Sequence, residues 1–316
     1  MKQKLKILIP IILGVFFIYL TLRVTSENER VLIWNYIKSA QIEYVIAAMS
    51  LGACADIIRG LRWQFLSKAI GYDSNTIISV GSVFMCYTSN MAIPRSGEIV
   101  RASILSEYNK IPIGKTFGTI AAERIVDITI SLFILMLVWL LQYEVILESF
   151  FDDKFLNDLD QNIGLILIIS ILIVCLIIFT ISKIEKIKSF FKGILEGFLS
   201  LTNLKNKLPI FIMLSSLIWI CYFSAFFVIK FSVAELDIIN NSLILPAFIV
   251  GVFSISLSNH GFGVYPLAIS MFLLGFGIDT EIGLTLGWLA WSCQAIITLV
   301  FGGLSFFVLP LLNRNG

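Results

Sequence analysis

Charge is scarce in this sequence. Only 14% of its 316 residues are Asp, Glu, Lys or Arg, while 58% are hydrophobic. A soluble domain carries about 25% charged residues, and no polar stretch here is long enough to make a soluble domain. Histidine occurs once, at His260, which excludes a multi-histidine metal site and a histidine relay. The five cysteines, Cys54, Cys86, Cys175, Cys221 and Cys293, stand singly in apolar stretches without a CxxC pair. That pattern excludes a zinc ribbon and gives no disulfide framework, so they read as small core residues. No GxxxxGK[ST] loop is present to bind ATP. No cofactor or metal is expected, and no nucleic-acid partner.

What the sequence has is length of apolar run. Strong apolar segments cover 5–24, 42–66, 113–141, 162–182, 208–232 and 282–309. Each approaches or exceeds the roughly 20 residues that cross a bilayer as a helix. The start, "MKQKLKILIPIILGVFFIYLTLRV", has a basic flank like a signal peptide, but its apolar run is not followed by a small-x-small cleavage site. It reads as a retained helix. Two further apolar regions, 75–107 and 243–277, are too long for one helix and carry Pro, Gly and Asn near their middles.

Topology follows from lysine and arginine placement. Lys2, Lys4 and Lys6 put the N-terminus in the cytoplasm. The loop at 142–160 is acidic and belongs outside. The loop at 183–207, with Lys183, Lys186, Lys188, Lys192, Lys205 and Lys207, belongs inside. These assignments agree only if 75–107 enters the membrane and returns to the same side. The same parity makes 243–277 a hairpin from the opposite face and leaves Arg314 cytoplasmic. The segment 183–201 spaces Ile184, Ile187, Phe191, Ile194, Phe198 and Leu201 as one helical face, with lysines on others, and reads as an amphipathic surface helix.

The two hairpin regions resemble each other. Ser89-Asn90 recurs as Ser258-Asn259, an offset of 169 (258 − 89), at which Val83-Phe84 meets Val252-Phe253 and Ala121 meets Ala290. Gly114 and Gly118 likewise meet Gly283 and Gly287, so each hairpin precedes a GxxxG face suited to close helix approach. The expected fold is therefore an all-α, polytopic helical membrane protein. It has two interrupted helical hairpins of opposite orientation, an inverted pseudo-repeat with halves at 75–141 and 243–309. Residues 1–316 form one transmembrane domain. Such repeats place a binding site where the broken helices meet.

The stretch "SNMAIPRSGEIVRASIL" puts charge into the first hairpin, and charge at membrane depth usually marks function. Pro94 lacks an N–H and Gly97 tolerates unusual dihedrals, so the helix is expected to break there and restart near Ser96. A restarting helix offers free N–H groups to an anion. Arg95 sits at the restart, followed by Glu98 and Arg101. "AAERIVD" adds Glu123, Arg124 and Asp127, with Glu123 and Asp127 four apart on one face. "DIIRGLRW" adds Asp56, Arg59 and Arg62, with Asp56 and Arg59 spaced so that they can pair. Two readings stay open: buried ion pairs that fix helix register, or a polar chamber whose arginines exchange carboxylates for a phosphate. Arg62 and Lys68 also read as plain topology anchors. In the second break, "SLSNHGFGVYP", His260 caps the break or touches a headgroup, and Phe262 and Tyr265 are placed to meet a lipid chain.

"NMAIPRSGEIVRASIL" followed by "GTIAAERIVD", with "RGLRW" before and "SNHGFGV" after, resembles the signature of the lysylphosphatidylglycerol synthase transmembrane region family. The resemblance covers essentially the whole chain. It implies the flippase half of MprF-like proteins, or a YbhN-like relative, and points to Asn90, Pro94, Gly97, Glu98, Arg101, Glu123, Arg124 and Asp127. Two departures stand out. The chain carries no aminoacyl-transferase domain, so it is not expected to make lysylphosphatidylglycerol. Tyr265-Pro266 also replaces a carboxylate expected after the C-terminal glycine motif.

The combined expectation is a lipid translocase of the cytoplasmic (inner) membrane rather than an enzyme, with both termini cytoplasmic. Its substrate would be an anionic or aminoacylated phospholipid or a polyprenyl-phosphate lipid. The substrate-binding set is Arg59, Asn90, Pro94, Arg95, Gly97, Glu98, Arg101, Glu123, Arg124, Asp127, Asn259 and His260. The alternative is an enzyme or partner subunit acting on a lipid-linked substrate. A homo-oligomer or a membrane enzyme partner is compatible with either.

Overall fold

The computed structural model of the chain describes residues 19, 23, 25–150, 204–258 and 260–313. Most of the expected first helix, the segments 162–182 and 183–201, Cys175, Asn259 and Arg314 lie outside the described residues. Nine α-helices are described: α1 Glu27–Ser39, α2 Ile42–Ala69, α3 Thr76–Ala92, α4 Gly97–Asn109, α5 Ile113–Phe150, α6 Leu208–Ile229, α7 Asn241–Leu257, α8 Val264–Leu274 and α9 Thr280–Asn313. There are no strands among the described residues. The protein is an all-α polytopic membrane protein.

Four helical stretches are long and apolar enough to span a bilayer: Ile42–Ala69, Ile113–Leu141, Leu208–Ser232 and Thr280–Leu311. Their outward faces keep large apolar side chains exposed, such as Leu132, Phe133 and Trp139 on α5 and Leu299, Leu304 and Phe307 on α9. Water would not tolerate so continuous an apolar belt, whereas hydrocarbon favours it. α5 runs on to Phe150, so residues 142–150, expected as part of an outer loop, are helical.

α1 precedes the spans. It begins with a capping box in which the Ser26 hydroxyl accepts from the Glu29 N–H and the Glu29 carboxylate accepts from the Ser26 N–H. That Ser26 N–H holds the Glu29 carboxyl below its ordinary range.

Both expected interruptions are present. α3 and α4 form the first hairpin, and α7 and α8 the second. Their lengths of 17, 13, 17 and 11 residues correspond to about 26, 20, 26 and 17 Å at 1.5 Å per residue. All fall short of a hydrocarbon core of about 30 Å.

In the first break, Ile93 is extended, as a residue before proline prefers. Arg95 takes the left-handed conformation at φ 58°. The freed backbone groups are satisfied locally, as membrane depth requires. The Ser96 hydroxyl donates to the carbonyls of Ser89 and Ile93 at 2.9 and 2.7 Å. The Gly97 N–H donates to Asn90 Oδ1 at 2.8 Å.

Gly97 has ordinary dihedrals, contrary to expectation. It is glycine because a Cβ there would lie 2.2 Å from the Cys86 carbonyl oxygen and 2.6 Å from the Asn90 amide. The unusual dihedral falls on Arg95 instead. At the hairpin mouth, the Asn75 N–H donates to Asn109 Oδ1 at 3.1 Å and ties the two arms.

The second break is longer and turns through positive φ at His260, Gly261 and Gly263. Its closing group is the Ser258 hydroxyl, which accepts from the Gly261 N–H at 3.1 Å, rather than His260. The His260 carbonyl accepts from the Trp291 indole at 3.0 Å.

The GxxxG expectation holds in one half only. A Cβ on Gly283 would meet Ser270 Cα at 2.6 Å and one on Gly287 would meet Pro266 Cα at 2.5 Å, so α8 and α9 approach backbone to backbone. Gly114 and Gly118 face open space.

Each hairpin has its own apolar core. One gathers Trp63, Ile78, Ala102, Leu105, Ile111, Ile120 and Leu309 around α3 and α4. The larger includes Phe226, Ile244, Phe248, Ile269, Leu273, Ile282 and Leu286 around α7 and α8. α9 packs along both α3 and α8, and α2 packs along both α3 and α6. α9 thereby binds the two hairpins into one body. Of the four described cysteines, Cys86, Cys221 and Cys293 are buried, and Cys54 is exposed.

Replacing Gly97 by alanine should push the hairpin arms apart and destabilise the protein by about 1–3 kcal/mol, the range for overpacking. Gly114→Ala, which meets no neighbour, should stay within about 0.5 kcal/mol of wild type. Thermal melts of both variants in detergent check this.

Candidate functional site

The charged residues of α2, α4 and α5 converge in two tiers. The inner tier is dry. Arg62 is wholly buried, and its guanidinium reaches Glu123 at 3.3 Å and Asp127 at 2.9 Å. It also donates to the Ser215 hydroxyl at 2.9 Å and lies over the Phe211 ring. Arg101, 2% exposed, pairs with Glu123 at 2.7 Å. Arg59 pairs with Asp127.

Glu123 and Asp127 thus share one face of α5, as their four-residue spacing foretold, and three arginines from two other helices meet them. Arg62 is no topology anchor, since it is the centre of this network. Lys68, by contrast, is exposed.

The Asp56–Arg59 pair that their spacing allows does not form. Arg59 turns to Asp127, while Asp56 accepts from the Tyr222 hydroxyl at 2.5 Å and from the Gln294 amide at 3.1 Å.

The outer tier is one pair. Arg124 donates to Glu98 at 3.0 Å, with both side chains about one-third exposed. Adjacent positions on α5 therefore point to different tiers, Glu123 inward and Arg124 outward, because successive residues lie about 100° apart around a helix.

This outer pair opens onto a cavity of about 480 Å³. Its polar wall carries Arg59, Glu98, Arg124, Asp127, Tyr87 and His260, and its remainder is largely aromatic and aliphatic, with Trp219, Phe226, Phe248, Val252, Ile255 and Trp291. The indole N–H of Trp219 is buried without a hydrogen-bond partner. The two arginines and two carboxylates of the wall balance, so its charged side is nearly neutral.

The expected site residues divide accordingly. Arg59, Glu98, Arg124, Asp127 and His260 face the cavity, whereas Arg62, Arg101 and Glu123 brace it from behind. Asn90 and Gly97 build the break, and Pro94 shapes it. Arg95 lies exposed and away from the cavity wall. Phe262 is exposed, while Tyr265 reaches the wall through a notch at Gly251, where a Cβ would sit 2.6 Å from its ring. Pro266 occupies the first turn of α8, where its missing N–H leaves no helical bond unmade.

Sequence reasoning did not single out Tyr87, Trp219, Tyr222, Trp291 and Gln294. Aromatic and amide residues inside apolar helices give no signal until the helices are assembled. Among the described residues no cluster of His, Cys, Asp and Glu could hold a metal ion.

The chain matches the lysylphosphatidylglycerol synthase TM region over residues 7–302. It belongs to that family. A UPF0104 membrane protein of Methanocaldococcus jannaschii is 36% identical over 99 residues, covering 30% of this chain and 30% of the relative. Glycosyltransferase AglD of Haloferax volcanii is 31% identical over 72 residues, covering 22% of this chain and 12% of the relative. The chain thus spans less than a third of either relative in these matches. No solved structure matches.

Removing one partner from the inner tier of this family member should cost far more than breaking the outer pair. Glu123→Gln leaves Arg62 and Arg101 short of a buried counter-charge, which typically costs about 3–5 kcal/mol. Glu98→Gln opens a part-exposed pair worth about 1 kcal/mol or less. Thermal unfolding of the two variants in the same detergent should show the contrast.

Proposed function

We propose that the protein moves the acidic headgroup of a membrane lipid between leaflets through the cavity on α2, α5 and the two broken hairpins. One observation carries this reading: the Arg124–Glu98 pair is held at the wall of a mostly apolar cavity and is the part-exposed member of an otherwise buried ion network. A phosphate arriving there can replace the Glu98 carboxylate on the Arg124 fork with little loss, because both offer two oxygens to planar donors. The inner pairs keep Arg59 and the α5 carboxylates in place while this exchange occurs. The apolar side of the cavity accommodates the glycerol and first acyl carbons, and the tails remain in lipid.

Family membership supports a role in lipid chemistry at the membrane. The glycosyltransferase name of one relative keeps an enzymatic reading in view, with a lipid-linked sugar as substrate. The geometry favours transport, because Glu98 and Asp127 at the cavity wall are both engaged by arginines rather than free to act as a base.

In this reading the two hairpins are the halves of an inverted repeat in a single transmembrane domain. The protein sits in the cytoplasmic membrane, with Lys110 and Lys115 at the inner face.

Arg124→Ala should fold normally and lose most leaflet exchange of a fluorescent phosphatidylglycerol in reconstituted phosphatidylcholine vesicles. Wild-type protein that leaves the probe unmoved would count against transport. A variant as active as wild type would remove Arg124 from the pathway.

A further inference from the structure

The inner ion network accounts for every buried acidic side chain near the cavity except Asp56. This carboxyl group is completely buried on α2, and among the described residues no ion pair includes it. The arginine one turn further along, Arg59, is committed to Asp127.

The two hydrogen bonds to Asp56 come from neutral groups on two other helices. Tyr222 of α6 binds Oδ1 at 2.5 Å, and Gln294 of α9 binds Oδ2 at 3.1 Å. The fold makes room for the second of these. Gly52, one turn before Asp56, is a notch in which a Cβ would lie only 2.7 Å from the Gln294 amide oxygen. Both donors line the cavity. The carboxyl group therefore lies one hydrogen bond behind the cavity wall, on a layer of side chains that a headgroup would touch.

A buried carboxylate without a cation is costly, and the ordinary escape is to take up a proton. The groups facing Asp56 allow both states. Arg59 on its own helix offers a neighbouring positive charge, while Tyr87 from α3, Tyr222 from α6 and Gln294 from α9 are uncharged and polar. The charged carboxylate accepts two hydrogen bonds. The neutral acid can keep the Gln294 bond and donate its own proton to the Tyr222 oxygen, with the phenol proton turning toward the cavity.

We propose that Asp56 is a proton-binding site of the translocation pathway, and that its proton is taken up when an anionic headgroup occupies the cavity. The second half of this statement rests on the translocase reading. An anion held in the cavity at Arg124 repels a charged Asp56 and tolerates a neutral one. By linkage, headgroup binding then favours protonation and protonation favours headgroup binding to the same degree. No bond other than O–H forms or breaks: water at the cavity supplies the proton, and the same route returns it when the lipid leaves. A chain without an ATP-binding loop would gain from this a way to draw on a proton gradient.

The two halves are separable by experiment. Infrared difference spectra of the purified protein, recorded while pH is stepped through neutrality, should contain the carbonyl stretch of a protonated carboxyl group. That band should disappear in Asp56→Asn. In Tyr222→Phe, a near-isosteric change that preserves folding, it should move to higher frequency as one hydrogen bond is lost. A band unchanged in both variants overturns the assignment of the proton to Asp56.

In phosphatidylcholine vesicles, movement of the fluorescent phosphatidylglycerol by wild type should be faster on the acidic side, on the order of tenfold, within the usual size of a coupling between sites. Asp56→Asn should flatten that dependence. A wild-type rate indifferent to pH overturns the coupling. Absence of any movement removes the translocase reading and the coupling with it, while the infrared band still decides whether Asp56 holds the proton.

Discussion

The Arg62 guanidinium, wholly buried and bridging Glu123 and Asp127, is the interaction on which the polar half of this protein depends. In a bilayer interior an arginine can persist only if its charge is met and its donors are used. Here carboxylates from α5 meet it, a serine from α6 takes a further bond and a phenylalanine ring covers one side. Arg59 and Arg101 then bind the remaining oxygens of the same two carboxylates. Removing any one member leaves the others short of charge, so α2, α4 and α5 are held in register as a unit. Ion pairs of this kind are weak evidence for stability in themselves. Their consequence here is positional: they deliver Arg124 and Glu98 to the cavity wall.

The broken hairpin is the second constraint, and it is coupled to the first. A helix interrupted inside a membrane frees backbone donors and acceptors that lipid cannot satisfy. Asn90 and Ser96 close the first break from within, and Gly97 lets the returning helix pass close to the Cys86 carbonyl. That close passage sets the angle at which α4 leaves, and α4 carries Glu98 toward the cavity and Arg101 toward the dry network. The break thus sorts two charges, three residues apart, onto different tiers.

The two hairpins share a plan and differ in chemistry. The first carries three charged side chains at or just after its break, Arg95, Glu98 and Arg101. The second has none there, and its wall residues are His260 and Tyr265, with Trp291 from α9 fastened to the His260 carbonyl. Tyr265 stands in place of the carboxylate that the family signature led one to expect, and Gly251 accommodates its ring. The cavity is consequently charged on one side and aromatic on the other. That asymmetry suits an amphipathic ligand whose phosphate and hydrocarbon must be held apart.

Much of this was legible in the chain itself. Segment lengths and the placement of Pro and Gly located the described apolar helices and both interruptions, because hydrocarbon leaves a helix few alternatives. The convergence of Glu123 and Asp127 followed from helical spacing. What spacing could not supply was partner choice. Asp56 and Arg59 lie within one turn of each other yet pair with other helices, and Gly114-x-x-x-Gly118 meets no neighbour while its counterpart at Gly283 and Gly287 does. The sequence by itself determined which described segments are long and apolar enough to cross a bilayer and where the helices break, since those depend on local periodicity and transfer cost. Only the tertiary structure decided which carboxylate meets which arginine, and which are left facing the cavity. Those choices depend on helix rotation and distance between residues far apart in the chain.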